Sequence, residues 1–166
     1  MQLYCNAGPN RCPAFGRALS WLALVIAMPA AAQPPLPTVS LSIGHHTIQV
    51  ELADTPARMR DGLMDRTTLA RDDGMLFVLG PPDSAYCFWM KNTLLPLSIA
   101  FMDTQGRIVS IQDMQAQSLQ PHCPPSPITT ALEMNQGWFT TNGVGVGTLV
   151  NGLPPPPQQP WFTKTQ

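Results

Sequence analysis

The segment PLSIAFMDTQGRIVSIQDM, residues 96–114, predicts a β-hairpin. Thr104-Gln105-Gly106 at its centre suits a three-residue loop, in which the glycine takes a left-handed conformation that other residues adopt less readily. Asp103 then faces Arg107 across the loop. The loop therefore sets where the two strands begin to pair.

The same segment also predicts how the rest of the hairpin pairs. Counting by twos from the pair at the loop places Phe101 opposite Val109 and Ile99 opposite Ile111. Residues directly opposite each other share one face of a sheet, so this register gathers four apolar side chains on one side. The turn chemistry and the apolar pattern favour the same register.

Six other segments have the composition of strands. The first two alternate apolar with polar residues, which is typical of half-buried strands, whereas the third and fourth are continuously apolar and predict central strands covered on both faces. In chain order the six are 39–43, 47–52, 74–79, 85–90, 128–134 and 144–150. About eight strands predict a mainly β fold, an antiparallel β-sandwich or open barrel with one or two short helices.

One short helix is predicted at Pro56–Asp61. Thr55 suits the N-cap, because its side chain can accept a hydrogen bond from a free amide of the first turn. Pro56 then occupies the first helical position, where no backbone donor is needed, and Gly62 can end the helix in a left-handed conformation.

Length and charge limit the class of protein. The chain has 166 residues, enough for one domain of ordinary size once its flanking segments are set aside. Its net charge is -1, and without Arg11 and Arg17 near the N-terminus seven basic residues remain against ten acidic ones, a net charge of -3. Such a chain lacks the positive field that attracts nucleic acid, so nucleic acid is not an expected partner.

The first 32 residues predict a cleaved signal peptide. Arg11 and Arg17 precede the apolar run 18–28, and Ala30-Ala31-Ala32 supplies the small residues of a cleavage site, which makes Gln33 the mature N-terminus. The run is shorter than the roughly 20 residues that span a bilayer, although an uncleaved anchor helix is the alternative. We therefore expect a periplasmic or secreted protein with no membrane span in its mature form.

Proline-rich segments flank the predicted domain. Residues 33–37 form a proline-rich linker, the β-rich domain covers residues 38–152, and residues 153–166 form a disordered tail rich in proline and glutamine. We expect these flanks to lie outside the folded core.

Two cysteines, Cys87 and Cys123, remain in the predicted mature chain. An even number of cysteines in an oxidising compartment predicts a disulfide between them. Two buried free thiols are the alternative, because the sequence gives no distance between the two residues.

The stretch FWMKNT, residues 88–93, is the least ordinary part of the chain. In an extended strand Trp89 and Lys91 share one face and Asn92 lies on the other. A lysine beside a tryptophan could hold a carboxylate or a phosphate. Equally, it could be a solvated lysine whose stem covers the indole, and Asn92 could serve only in a turn.

Together with other motifs between Val50 and Val150, this stretch resembles the domain of unknown function 192 family, small and often exported bacterial and archaeal proteins. The shared motifs are Gly62-Leu63-Met64 with Arg66, Gly74-Met75-Leu76-Phe77, Phe88 to Thr93 with Pro96-Leu97, Leu132-Glu133-Met134, and Gly137, Gly143 and Gly147. The resemblance implies a compact β-rich fold and assigns no activity, ligand or catalytic residue. Ser98 and Thr148 depart from the family pattern, which usually has an acid at both positions.

Five motif residues are candidates for a ligand-binding site: Arg66, Trp89, Lys91, Asn92 and Glu133. Glu133 lies on the opposite face of its strand from Leu132 and Met134, so it either points to solvent or is paired inside the protein. A buried Glu133 opposite Arg66 or Lys91 would suit a structural ion pair and a polar ligand pocket equally well.

These candidates support three hypotheses. The preferred one is a noncatalytic extracytoplasmic binding or accessory module, a monomer that needs no cofactor and binds a small polar or anionic ligand or an envelope component. The second is an envelope-directed hydrolase, in which Glu133 is the acid or base and Lys91 stabilises charge. The third is a metal protein that uses the histidines and Cys123, but no pair of them has the spacing of a zinc motif, so no metal ligand is assigned.

Overall fold

Seven strands and two short helices form within residues 35–155, the part of the chain that the computed structural model describes. The elements are β1 (Thr38–Ile43), β2 (His46–Ala53), α1 (Pro56–Asp61), β3 (Gly74–Asp83), β4 (Leu97–Met102), β5 (Ile108–Met114), β6 (Ile128–Asn135), α2 (Trp138–Thr141) and β7 (Val150–Asn151). The strands form one sheet in the order β5-β4-β6-β3-β2-β1-β7. All neighbours are antiparallel except β2 and β3, which run parallel.

Hydrogen bonds between the two ends of the sheet curl it into a half-barrel. Ile108 of β5 donates its N–H to the carbonyl of Thr148 at 3.0 Å and accepts from the N–H of Gly147 at 2.8 Å. Val150 of β7 donates to the carbonyl of Gly106 at 2.9 Å. The predicted class, mainly β with an open barrel and two short helices, is confirmed, with one strand fewer and one parallel pair.

The turn of the central hairpin is as predicted. Gly106 has a φ of 77°, and the N–H of Asp103 donates to the carbonyl of Arg107 at 3.0 Å. The side chain of Asp103 also accepts the N–H of Gln105 at 2.8 Å, which stabilises the loop.

The predicted register of that hairpin is wrong because β5 contains a β-bulge. Val109 is an extra residue with no partner in β4. Beyond it the pairing is shifted by one residue, so that Phe101 faces Ser110 and Ile99 faces Gln112. Counting by twos assumes an uninterrupted ladder, and the bulge interrupts it.

The first part of the chain folds as predicted. The strands β1 and β2 form the expected antiparallel pair, and α1 spans Pro56–Asp61. The hydroxyl of Thr55 accepts the N–H of Arg58 at 3.3 Å, and Gly62 ends the helix with a φ of 48°.

Two predicted strands are wrong. Residues 85–90 form a loop that has only one bridge, from Phe88 to His122, and only Tyr86, Phe88 and Met90 of this loop pack against the sheet. Residues 144–150 form turns until Val150, because Gly147 has a φ of 90° that interrupts an extended chain.

Apolar side chains pack on both faces of the sheet. The inner cluster consists of the buried residues Leu41, Ile43, Ile48, Val50, Leu76, Val78, Ala100, Met102, Ile108, Leu132, Met134, Trp138, Phe139, Val144 and Val150. All seven strands contribute to it, including both edge strands, so the sheet curls around it. The outer cluster comprises Ala53, Leu63, Met75, Phe77, Leu79, Met90, Leu97, Ile99, Phe101, Met114, Ile128 and Ala131.

The central position of β3 explains its continuously apolar sequence. It lies fourth of the seven strands and contributes Leu76 to the inner cluster and Phe77 to the outer cluster. The prediction of a strand covered on both faces is therefore confirmed. Loop residues cover the outer side, and Tyr86, Phe88 and Leu95 pack against it.

The predictions for the N-terminal signal peptide and the C-terminal tail concern residues that lie mainly outside 35–155. The signal peptide, its cleavage before Gln33 and the tail beyond residue 155 lie outside the described part. Within residues 35–155 no helix combines the length and the apolar character needed to cross a bilayer, and the longer of the two helices has six residues.

Candidate ligand-binding site

A cavity of about 470 Å³ opens on the outer face of the sheet, a size typical of small-molecule sites. Its lining comes from residues 59–64, from Phe77 and Leu79 of β3, from residues 86–89 and 91–93 of the loop before β4, and from Glu133 of β6. The structure therefore brings four of the five predicted site residues together: Trp89, Lys91, Asn92 and Glu133.

Glu133 forms the floor of this cavity. The alternation of β6 places Leu132 and Met134 in the inner cluster and Glu133 on the opposite face, as predicted. Its cross-strand partners are Met75 and Ile99, both fully buried in the outer cluster. Glu133 itself is only 5% exposed, so a carboxyl group lies in the middle of an apolar surface.

Burial changes the protonation of this carboxyl group. Removal from water raises the pKa of Glu133 to about 8, because a charged carboxylate is less well stabilised there than a neutral acid. At neutral pH the group is mainly protonated and can donate one hydrogen bond while accepting others. Among residues 35–155 no ion pair includes Glu133, so it is paired neither with Arg66 nor with Lys91.

Trp89 and Lys91 lie at the mouth of the cavity. Both are exposed, the tryptophan to 54%. The Nζ atom of Lys91 lies 5.7 Å from the centroid of the Trp89 ring, within the range of a cation–π interaction. No carboxylate of the described residues pairs with Lys91, so its ammonium group can meet a ligand.

Asn92 has both of the roles that the sequence left open. It lines the cavity, and it lies in the turn that the N–H of Thr93 closes by donating to the carbonyl of Met90 at 3.0 Å. Its φ is 56°, a left-handed conformation that asparagine tolerates better than most residues.

Neighbouring segments hold that turn through two further residues in the left-handed region. The N–H of Asp65 donates to the carbonyl of Asn92, and the N–H of Gln117 donates to the carbonyl of Thr93, both at 2.9 Å. Asp65 and Gln117 each have a φ of 60°. Such conformations persist only where surrounding contacts enforce them, so the position of Lys91 and Asn92 is fixed by three chain segments.

Arg66, the fifth predicted residue, does not line the cavity. Its guanidinium group forms a two-pronged ion pair with Glu51 of β2, in which Nη1 donates to Oε1 at 2.7 Å and Nη2 donates to Oε2. This hydrogen bonding raises the pKa of Arg66. Because Asp65 contacts the Asn92 turn, the pair anchors one wall of the cavity to the sheet.

The predicted disulfide between Cys87 and Cys123 is confirmed. It joins the loop before β4 to the loop before β6, and Cys87 also lines the cavity. Beside it, Phe88 and His122 exchange backbone hydrogen bonds at 2.9 and 2.7 Å. The covalent bond and the bridge together fix the wall that carries Trp89.

Aromatic wall residues were not recognised as part of a site from the sequence. Phe77 and Phe88 line the cavity and pack edge to face, with ring centroids 5.1 Å apart. Tyr86 joins them and donates its hydroxyl to the carbonyl of Pro81 at 3.2 Å. The available signal was the position of both phenylalanines inside the family motifs.

The two departures from the family pattern lie away from the cavity. The hydroxyl of Ser98 is buried, donates to the carboxylate of Asp113 and accepts the N–H of Gly137 at 2.8 Å. The hydroxyl of Thr148 accepts the N–H of Gly145 at 3.2 Å. In this chain both positions serve local structure, and neither lines the cavity.

The potential metal ligands of the sequence are separated and engaged elsewhere. His46 lies 3.2 Å from the carbonyl of Asn142, His122 lies 3.1 Å from the side-chain oxygen of Gln112, and Cys123 is in the disulfide. Residues 35–155 contain no group of three His, Cys, Asp or Glu side chains placed to hold one ion.

Comparison with known proteins identifies one matching family and two similar structures. The sequence profile of DUF192, described as "Uncharacterized ACR", matches residues 39–152. A structure from Sinorhizobium meliloti, provisionally named a transcription regulator, is 31% identical, covers 73% of this chain and 98% of its own, and has a TM-score of 0.69. A protein of unknown function from Novosphingobium aromaticivorans is 33% identical over 73% of this chain and 94% of its own, with a TM-score of 0.66. No curated protein sequence matches this chain.

Proposed function

Because the chain belongs to the DUF192 family of uncharacterised proteins, we propose from its own geometry that it is a noncatalytic extracytoplasmic binding protein whose cavity above Glu133 holds a small polar ligand. The observation that carries this proposal is the carboxyl group of Glu133. It is buried on an apolar face, contacts an open cavity and has no ion-pair partner among the described residues.

Burial of the Glu133 carboxyl group among apolar residues costs free energy. A buried polar group without a partner reduces stability, and proteins retain such groups mainly where a ligand or water completes them. An apolar Leu or Met at position 133 would pack with Met75 and Ile99 at no such cost. The retained acid therefore supports a binding role.

The other polar groups of the lining favour binding over catalysis. The hydroxyl of Tyr86 donates to a backbone carbonyl, and that of Thr93 lies 3.5 Å from the carbonyl of Lys91. Asp61 pairs with Arg60 at 2.8 Å. These groups are engaged within the protein, which leaves Glu133, Lys91 and Asn92 as the polar side chains that face a ligand.

Ligand binding can be measured through the fluorescence of Trp89. We expect a response when the native protein is titrated with envelope saccharides, peptides and small anions, and loss of that response in Lys91→Ala. Arg71→Ala is the matched control, because Arg71 is exposed and lies outside the cavity lining. A Trp89→Phe variant separates the signal of Trp89 from those of Trp138 and Trp161. Absence of binding across the whole set would overturn the proposal.

Export is the second part of the proposal. The charged start, the apolar run 18–28 and Ala30-Ala31-Ala32 support it, together with a disulfide that is typical of oxidising compartments. N-terminal sequencing of the protein from periplasm or medium should begin at Gln33. A mature protein that still begins at Met1 would contradict export.

One observation favours the hydrolase alternative. A glutamic acid with a pKa of about 8 is protonated at neutral pH and could act as a general acid. In that case Glu133→Gln would abolish release of product from an envelope saccharide or peptide while its binding persists. Binding without release of product in the native protein selects the noncatalytic role.

A further inference from the structure

The two ends of the cavity carry ionisable groups of opposite kind. Glu133 provides an acidic group at the buried floor, and Lys91 provides a cationic group at the exposed mouth. Between them the lining is largely aromatic, with Phe77, Phe88 and Trp89. A ligand that matches this arrangement must itself differ in charge from one end to the other.

The floor favours a cationic group. The basic residues near the cavity are engaged elsewhere, since Arg60 pairs with Asp61, Arg66 pairs with Glu51, and Lys91 lies beside Trp89. No basic residue of the described part of the protein therefore forms an ion pair with Glu133. Aromatic rings attract cations through their negative faces, as the position of Lys91 near Trp89 already illustrates.

The mouth favours an anionic group. Lys91 is exposed, and no acidic residue of the described chain forms an ion pair with it. Its place is fixed by the Asn92 turn, which is bonded to two other segments. An ammonium group on a lysine whose backbone is held in place at an opening is a suitable contact for a carboxylate or a phosphate.

Building on the proposed binding function, we infer that the ligand is a small zwitterion whose ammonium group meets Glu133 at the floor and whose anionic group meets Lys91 at the mouth. A free ω-amino acid and an ethanolamine phosphate carry this shared pattern of charges. The aromatic walls contact the carbon chain that separates the two groups.

Proton release is the signature of this mode of binding. In the free protein Glu133 holds its proton at neutral pH, since its pKa is about 8. An ammonium group beside it stabilises the carboxylate and lowers that pKa, so the proton passes to solvent while the ligand keeps its charge. Binding therefore releases close to one proton per ligand at pH 7.

The test is calorimetric titration of the intact mature protein with ω-amino acids from glycine to 6-aminohexanoate and with O-phosphoethanolamine. Each titration is repeated in phosphate and in Tris, whose ionisation enthalpies differ, so that proton release is measured directly. Alkylamines and carboxylates of equal length are the matched ligands that lack one charge. The zwitterion whose length fits the cavity should bind about tenfold more tightly than the alkylamine or the carboxylate of equal length. The reason is that it forms two charged hydrogen bonds in place of one.

Two variants test which residue contacts each charged end of the ligand. Glu133→Gln should remove proton release and the preference for an ammonium group, while Lys91→Ala should remove the preference for an anionic group and leave proton release unchanged. Arg71→Ala should behave as the native protein. The proton measurement needs no variant, so the inference remains testable even if Glu133→Gln does not fold.

Equal affinity for zwitterions, amines and carboxylates, absence of proton release, or no binding of any compound in this series would overturn the inference. The proposed function fails separately. If an anion or a saccharide binds with a Lys91-dependent response of Trp89, the binding role stands and only the zwitterion assignment is wrong. A response to phosphoethanolamine alone would identify phosphate as the anionic end, and a response to one ω-amino acid alone would identify carboxylate.

Discussion

The two faces of the sheet differ in how they are closed. The inner cluster receives side chains from all seven strands, and α2 adds Trp138 and Phe139. The outer cluster is covered by loops, and among its side chains lie Glu133 and a cavity of about 470 Å³. A fold that concentrates close packing on one face can tolerate a buried acid beside an opening on the other.

Among the predicted effects, Leu132→Ala should cause the largest loss in the free energy of unfolding. Leu132 is fully buried in the inner cluster, and its truncation should lower the free energy of unfolding by about 2–5 kcal/mol. Glu133→Leu changes the adjacent residue on the outer face and should leave that free energy unchanged or raise it, because it removes a buried polar group. Urea denaturation of both variants makes the measurement. Similar losses in both would contradict the difference between the faces.

Removal of the disulfide tests how the outer face is held together. A Cys87→Ser, Cys123→Ser double variant should lose roughly 3–4 kcal/mol, as expected for a crosslink that closes a loop of this length. Proteolysis under native conditions should then cut in residues 84–96 or 115–127 before it cuts in the strands. As a control, thiol titration of the denatured, unreduced native protein should detect no free thiol at these two positions. Cleavage that starts in β1 or β2 would show that the bond also supports the inner face.

The titration of Glu133 should make the outer face sensitive to pH. Its pKa in the folded protein is about 8, above its ordinary value of 4.5, so the folded state binds this proton more tightly than the unfolded state. Its contribution therefore lowers the free energy of unfolding as the pH rises from about 4.5 to about 8, by on the order of 1 kcal/mol per pH unit. The difference between native protein and Glu133→Gln isolates this effect from other acids. Parallel curves for the two proteins would refute it.

Lys91→Ala should give the smallest change in stability. The side chain is exposed and has no ion pair among the described residues, so we expect a shift within about 0.5 kcal/mol. Thermal unfolding measures it, and Arg71→Ala is again the matched control. A large loss without any change in ligand response would make Lys91 a structural partner of Trp89 instead of a ligand contact.

Local features of the fold could be predicted because their causes lie within a few residues. The N-cap at Thr55 and the turn at Gly106 depend on neighbouring residues, and both form as predicted. The bulge at Val109 could not be predicted, since only packing on two faces selects it. The prediction of a strand at 85–90 is wrong because Tyr86, Phe88 and Met90 are apolar to pack against the sheet, a requirement that a loop shares with a strand.

The candidate site was predictable in composition and not in arrangement. The motif residues Trp89, Lys91 and Asn92 are adjacent in sequence, so their proximity follows from the chain itself. Glu133 joins them only because β6 pairs with both β3 and β4. Arg66 does not line the cavity because it pairs with Glu51, and nothing in the local sequence indicated that pairing.

The position of β6 between β3 and β4 also determines the order in which the sheet can be completed. β3 and β4 precede it in the chain, and each leaves one apolar edge unpaired until residues 128–135 are present. The joining of β3 to β4 must therefore wait for a strand that follows both of them in the chain, and its contacts span long stretches of sequence. Such a topology folds slowly compared with one built from neighbouring strands, so the newly made chain stays unfolded for longer.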